Sequence, residues 1–238
     1  MRRRLQWGAT VFLLLAFPAC SHTPEATPPD HASAPHGTGG FSIGHGPLVR
    51  RFEDAEYCAS KWEGPERDAS QRPADVIAAM QIEPGMTLVD LGTGTGYFLP
   101  YLSKAAGPSG LVLALDIETG MVDYVRQRAA REGLANVEPR HEKPDDPGLD
   151  ARSVDRILVV NTWHHIPERT RYAAKLHEAL KDDGTIAIVE FTLQTDHGPP
   201  AEHRISPEFV LSELRAGGVN ATVIDEPLPD HYIVIGKR

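Results

Sequence analysis

Residues 88–98 read LVDLGTGTGYF. An apolar run ends in Asp90, and three glycines, Gly92, Gly94 and Gly96, follow at every second position. Glycine admits backbone conformations that other residues avoid and lets a ligand approach the main chain closely. A strand followed by such a loop and then a helix is therefore a place to look for a ligand. A dinucleotide site would have G-x-G-x-x-G with a pyrophosphate at the helix N-terminus. Here the spacing is G-x-G-x-G, and Tyr97 stands where the last glycine would be. Asp90 lies in the approach to the loop, where a carboxylate repels phosphate and suits a cation.

Outward from the loop, strands and helices alternate. TLVDLG, GLVLALDI, VEPRH, SVDRILVVN and TIAIVEFT read as strands. Between them, YFLPYLSKAAG, ETGMVDYVRQRAAREG and PERTRYAAKLHEALK read as helices, the last with Tyr172, Leu176, Ala179 and Leu180 inward. Pro100 is tolerable only in a first turn. SPEFVLSELRAGG has Ser206 as cap and Pro207 at the first helical position. The tail NATVIDEPLPDHYIVIGKR reads as two strands joined by a turn. This alternation predicts an α/β fold with a doubly wound, mostly parallel, seven-stranded sheet covered on both faces. Ligands bind such sheets beyond the carboxyl ends of the strands, where the glycine loop sits.

The segments before the loop divide into three. Residues 1–20 have the basic head MRRRLQ, the short apolar stretch WGATVFLLLAF, and Ala19 before Cys20. This pattern resembles a bacterial lipoprotein signal, with Phe17 where that signal usually has Leu. It implies a membrane attachment through an N-terminal lipid and a cell-envelope location on the periplasmic side if the signal is processed, and a cytoplasmic one otherwise. Residues 21–47 are a linker rich in Pro, Gly and His, with too little apolar surface to offset its ordering entropy. Residues 48–82 read as helix, break, helix. Phe52, Ala55, Ala59 and Trp62 mark the first piece, and Val76, Ile77 and Met80 the second.

The chain has 238 residues, a formal net charge of −9 and two cysteines, Cys20 and Cys58. The acidic balance argues against nucleic-acid partners. The cysteine count excludes a disulfide framework or a cysteine-based zinc site, and no metal site is assigned. Cys58 reads as a small buried hydrophobe.

VDLGTGTGYF resembles the first motif of class I S-adenosylmethionine-dependent methyltransferases, and ALDIE, with Asp116 at the end of the second strand, resembles their second. The resemblance spans roughly residues 50–238 and implies a Rossmann-like methyltransferase fold. It implies S-adenosyl-L-methionine as cofactor, its methionine part against Asp90, Gly92, Thr93, Gly94 and Gly96, its ribose hydroxyls on Asp116. Ile117 and Asn161 join the cofactor site on the same ground. FEDAEYCASKWEGPERDASQRP is similar to the leader of a subset of bacterial methyltransferases, which implies that residues 48–82 form a helical lid over the cofactor. Many relatives carry an acid after the third strand near the adenine amino group. Here Lys143 falls at that place, with Glu142 or Asp145 as substitutes.

NTWHHIP, after the fourth strand, is similar to the family's fourth motif and is not the Asn-Pro-Pro-Tyr type of nucleic-acid amino-methylating enzymes. The expectation is therefore a small-molecule acceptor. The arsenic-methylating branch relies on several cysteines, so that chemistry is excluded here. A general base is needed if the acceptor loses a proton. His164 and His165 are the candidates, against the alternative of structural histidines, and Glu190 is a third. Trp62 and Trp163 read either as pocket walls or as core. His197, His203 and Arg204 read either as contacts to an anionic acceptor or as solvated loop residues. The rival function is a non-catalytic, ligand-binding lipoprotein that keeps the fold. A nicotinamide oxidoreductase is disfavoured by the glycine spacing.

Overall fold

The computed structural model describes residues 54–225 and 228–238. The signal at 1–20, the linker at 21–47 and Phe52 lie outside the described residues. Among the described residues no helix is long and apolar enough to cross a membrane.

Seven strands form one sheet in the order β3-β2-β1-β4-β5-β7-β6. They are β1 (Thr87–Leu91), β2 (Leu111–Asp116), β3 (Val137–His141), β4 (Val154–Val160), β5 (Leu180–Phe191), β6 (Asn220–Ile224) and β7 (His231–Lys237). Strands β1 to β5 pair in parallel, while β7 runs antiparallel between β5 and β6. The chain winds outward from β1 through β2 to β3, then crosses back to β4. The tips of β1 and β4 are thus the switch point, where connections leave in opposite directions and open a crevice.

Side-chain alternation builds a core on each face. Val89, Leu91, Leu113, Leu115, Ile157 and Val159 pack with Tyr172, Leu176, Val210 and Leu214 of helices α6 (Arg169–Ala179) and α7 (Pro207–Ala216). Leu88, Val112, Ala114, Leu158 and Val160 face the other way. They meet Val76 of α3 (Pro73–Ala79), Leu99, Leu102 and Ala106 of α4 (Leu99–Ala106), and Val125 of α5 (Thr119–Glu132). A period of two in fully buried strands gives continuous apolar runs, because both faces are covered. Each fully buried leucine here contributes roughly 1.5–3 kcal/mol.

The local signals act as read. Pro100 sits in the first turn of α4. Ser206 accepts a hydrogen bond from the Phe209 N–H at the start of α7. Gly133 ends α5 in the left-handed conformation. Two details differ. The break in the N-terminal segment is itself a helix, α2 (Pro65–Gln71), between α1 (Ala55–Trp62) and α3. Pro65 starts it, and Pro73 stops it by excluding the helical conformation at Arg72, which turns to φ +44°. Leu180, expected on the inner face of α6, instead opens β5, with extended backbone at its own position.

Candidate active site

The glycine loop follows β1 and folds back on β2. The N–H groups of Gly92 and Thr93 both donate to the Leu115 carbonyl, at 2.9 Å. Gly92, Gly94 and Gly96 have φ of +69°, +54° and +79°, a region that side chains disfavour. A Cβ on Gly92 would lie 2.3 Å from Thr162 Cγ2, just after β4. The loops after β1 and β4 therefore touch through a bare backbone. Gly94 has Trp62 of α1 as its nearest neighbour, 3.5 Å from where a Cβ would stand.

Two acids flank this loop. Asp116, at the tip of β2, accepts from the Gly94 N–H (2.8 Å) on one oxygen and from the Glu118 N–H (2.9 Å) on the other. Burial raises its pKa, and those two backbone bonds oppose the rise. Asp90 is buried and accepts from Thr93 Oγ1 at 2.7 Å. Burial pushes its carboxyl up to about 6, against the lowering influence of Thr93 and of the Arg67 charge. Asn161 follows β4 with φ +51°, and its buried Oδ1 has no hydrogen-bond partner among the described residues. A buried acceptor without a donor, next to a buried carboxylate, suits a ligand that brings N–H groups and positive charge.

Another acid lies just after the third strand. Glu142 points inward and is buried, its N–H donates to the Asp116 carbonyl (3.0 Å), and Tyr172 Oη donates to its carboxylate at 3.4 Å. Lys143 and Asp145 are exposed. Of the three residues, Glu142 alone is turned inward, and its pKa is pushed well up by burial and then by the nearby Asp116 charge. Ile117 is a partly exposed apolar side chain immediately after Asp116.

The tips of β4 and β5 carry a buried polar pair. His164 Nδ1 lies 2.8 Å from one Glu190 carboxylate oxygen, and the His164 N–H donates to the other at 3.2 Å. Their side chains are only 4% and 2% exposed, so the contact is shielded from solvent. His165 packs tilted against His164, with ring centroids 4.1 Å apart, and is half-buried. Trp163 is fully buried and donates from Nε1 to Glu213 at 2.9 Å. Of its two readings, core packing is the one realised.

Helix α2 reaches from the glycine loop to β7. Arg67 stacks over the Tyr97 ring, 4.0 Å from its centroid, and its Nε donates to Gln71 Oε1 at 2.8 Å. Gln71 Nε2 faces Nε2 of His231, the first residue of β7, at 3.5 Å. Burial holds the His231 imidazole down at about 4, so it is neutral near pH 7. Ser70 donates to Asp230 at 2.7 Å, and the same carboxylate accepts from Thr195 Oγ1 at 2.7 Å and lies 3.2 Å from His197 Nδ1. On the other side, Arg128 of α5 joins Glu63 (2.6 Å) to the Thr95 carbonyl (2.9 Å). Arg204 donates to the carbonyls of Leu193, Thr195, His197 and Pro199, so it shapes the loop after β5. Among the described residues no cluster of three or more His, Cys, Asp or Glu is placed to hold a metal ion.

A family profile described as a methyltransferase domain matches residues 88–184. A solved SAM-dependent methyltransferase from Aquifex aeolicus is 30% identical, with a TM-score of 0.72, over 78% of this chain and 98% of that one. The chain belongs to the class I S-adenosylmethionine-dependent methyltransferases. Nocamycin O-methyltransferase of Saccharothrix syringae is 32% identical over 160 residues, 67% of this methyltransferase chain and 53% of the relative. A ubiquinone/menaquinone biosynthesis C-methyltransferase of Bordetella avium is 29% identical over 119 residues, 50% of this chain and 46% of the relative. The chain thus spans about half the length of these curated relatives.

For a methyltransferase of this family, the residues present fit S-adenosylmethionine. The bare loop offers the close approach, Asp116 offers free lone pairs beside its two backbone bonds, and Asn161 Oδ1 offers an unclaimed acceptor. The structure brings Asp90, Gly92, Thr93, Gly94, Asp116 and Asn161 to one crevice. Gly96 serves differently: a Cβ there would meet Leu99 Cδ1 at 2.7 Å, so it permits the loop to close on α4. The sequence reading missed Arg67, Gln71 and His231. No local pattern marks them, since α2 and β7 meet across 160 residues of chain.

Proposed function

We propose that this chain transfers a methyl group from S-adenosylmethionine to a small-molecule acceptor whose nucleophilic atom gives up a proton to His164. The observation that carries this reading is the buried His164–Glu190 pair at the strand tips beside the glycine loop. S-adenosylmethionine supplies, when bound, a methyl carbon already activated by its sulfonium. The remaining work of the protein is alignment, exclusion of water and management of one proton.

Residues divide along those lines. Asp116 takes the ribose hydroxyls, Glu142 faces the adenine edge, and Ile117 lies along the adenine face. Asp90, Asn161 and the glycine loop hold the amino-acid end. Helices α1 and α2 act as the lid, with Trp62 over Gly94. Glu190 accepts from His164 Nδ1, which leaves Nε2 as the nitrogen that takes a proton. Relatives carry out O- and C-methylation, and in both reaction types an O–H or C–H proton must leave. Family membership and this base favour catalysis over the non-catalytic binding protein.

Thermal unfolding of the purified full chain tests the donor. S-adenosylmethionine and S-adenosylhomocysteine are expected to raise Tm, and NAD is not. Donor binding with no labelled-methyl transfer across a panel of phenols, enols and carboxylic acids would favour the binding protein.

A pH titration tests Asp90. Its carboxyl is raised in the free protein to about 6, so below that pH it holds a proton that the donor's ammonium must displace. Affinity for S-adenosylhomocysteine should fall about tenfold per pH unit below 6 and stay flat above 7. Asp90→Asn is expected to remove this step. A titration curve identical in both proteins by calorimetry would assign the ammonium to another group.

A further inference from the structure

Arg67 is a cation in a place that disfavours one. Its guanidinium stacks on Tyr97, donates from Nε to Gln71 and from Nη1 to the Trp62 carbonyl at 3.3 Å. Among the described residues it takes part in no salt bridge, whereas Arg128 and Arg169 each have a carboxylate within 3 Å. Burial lowers its pKa, and the Tyr97, Glu63 and Asp90 charges only partly offset that. Asp90 shows the mirror image, a buried carboxylate whose one hydrogen bond comes from a neutral hydroxyl. The buried Oδ1 of Asn161 lies unpaired at the next strand tip. A half-buried guanidinium and a buried carboxylate that do not form a contact ion pair, with a spare acceptor at the strand tip next to the carboxylate's, describe a receptor for a zwitterion. One ligand group that carries a carboxylate and an ammonium on the same carbon would satisfy all three.

We propose that Arg67 binds the carboxylate of the donor's α-amino-acid group, while Asp90 and Asn161 Oδ1 take its ammonium. This rests on the S-adenosylmethionine reading above and adds a residue from outside the core fold. Helix α2 then recognises the donor and does not merely cover it. The same guanidinium orients Gln71 toward His231 at the tip of β7.

Calorimetry on the full chain tests this with three probes: S-adenosylhomocysteine, its decarboxylated analogue S-adenosyl-3-thiopropylamine, and 5′-methylthioadenosine, which lacks the amino-acid group. The wild type is expected to bind S-adenosylhomocysteine at least about tenfold more tightly than the decarboxylated analogue. Arg67→Met should weaken S-adenosylhomocysteine by about 10- to 100-fold and leave both other probes within about twofold. Arg67→Lys keeps the charge without the fork and should recover part of the loss. Unchanged binding of the truncated probes shows that each variant is folded. If Arg67→Met does not fold, the comparison is made on Arg67→Lys, which should lose affinity for S-adenosylhomocysteine alone. Equal weakening of all three probes means a structural role and overturns the proposal, as does no weakening of any or equal wild-type affinity with and without the carboxylate. A wild type that binds none of the three removes the donor reading itself, a different result from loss of discrimination.

Discussion

Replacement of His164 by Ala should lower the rate of methyl transfer by about 10²- to 10⁴-fold and leave affinity for S-adenosylhomocysteine within about twofold. Glu190 holds His164 at two points, the imidazole through Nδ1 and the backbone through its N–H. A carboxylate on Nδ1 favours the tautomer with the proton there, which leaves the lone pair on Nε2 for the acceptor's proton. Glu190 also stabilises the imidazolium formed when the acceptor's proton arrives. Glu190→Gln keeps an acceptor for Nδ1 and loses the charge, so it should cost less than the histidine does, about tenfold or more in kcat. A role in folding alone would lower donor affinity and activity together. A rate that survives His164→Ala would mean that the acceptor enters already deprotonated, and then the pair is structural.

The parts of the site that the sequence discloses are those set by local backbone rules. Three glycines at alternate positions need φ above zero, and the structure places all three there. Asp116 ends a strand that is apolar throughout, and a carboxylate at that point has few structural uses. Glu142 was harder, because one residue of register at the end of β3 exchanges the inward and outward sides. The fold turns Glu142 inward and leaves Lys143 and Asp145 exposed. Helix α2 was hidden by the two prolines that bound it, since the same residues that start and stop a helix also read as a break. His164 and Glu190 were each visible as strand-tip residues, but their pairing follows from β4 and β5 lying side by side, which is a property of sheet order. Arg67 and His231 carry no sequence signal at all, for their meaning lies in charges and orphan atoms contributed by distant segments.

Replacement of Asp116 by Ala should abolish the thermal shift with S-adenosylmethionine and weaken S-adenosylhomocysteine by at least about 100-fold. Each oxygen of this carboxylate already accepts one backbone N–H, from Gly94 and from Glu118, and each keeps a second lone pair for a ribose hydroxyl. Alanine removes both ligand bonds. It also releases Gly94, so the loop loses the tie that holds it against β2, and the two N–H groups are left without partners at about 1–3 kcal/mol each. The free protein should be affected less than this sum suggests. Burial raises the Asp116 pKa, so the ionised group costs stability once the pH has passed its unfolded-state value, and that cost disappears with the carboxyl. The unliganded Tm should therefore move by only a few degrees, which separates loss of binding from loss of fold. Asp116→Asn sharpens the test. Its amide keeps one acceptor oxygen but turns an N–H₂ toward a backbone donor, so it should bind the ligand between wild type and alanine. Full ligand-induced stabilisation in the alanine variant would place the ribose elsewhere and leave Asp116 only as the anchor of the loop.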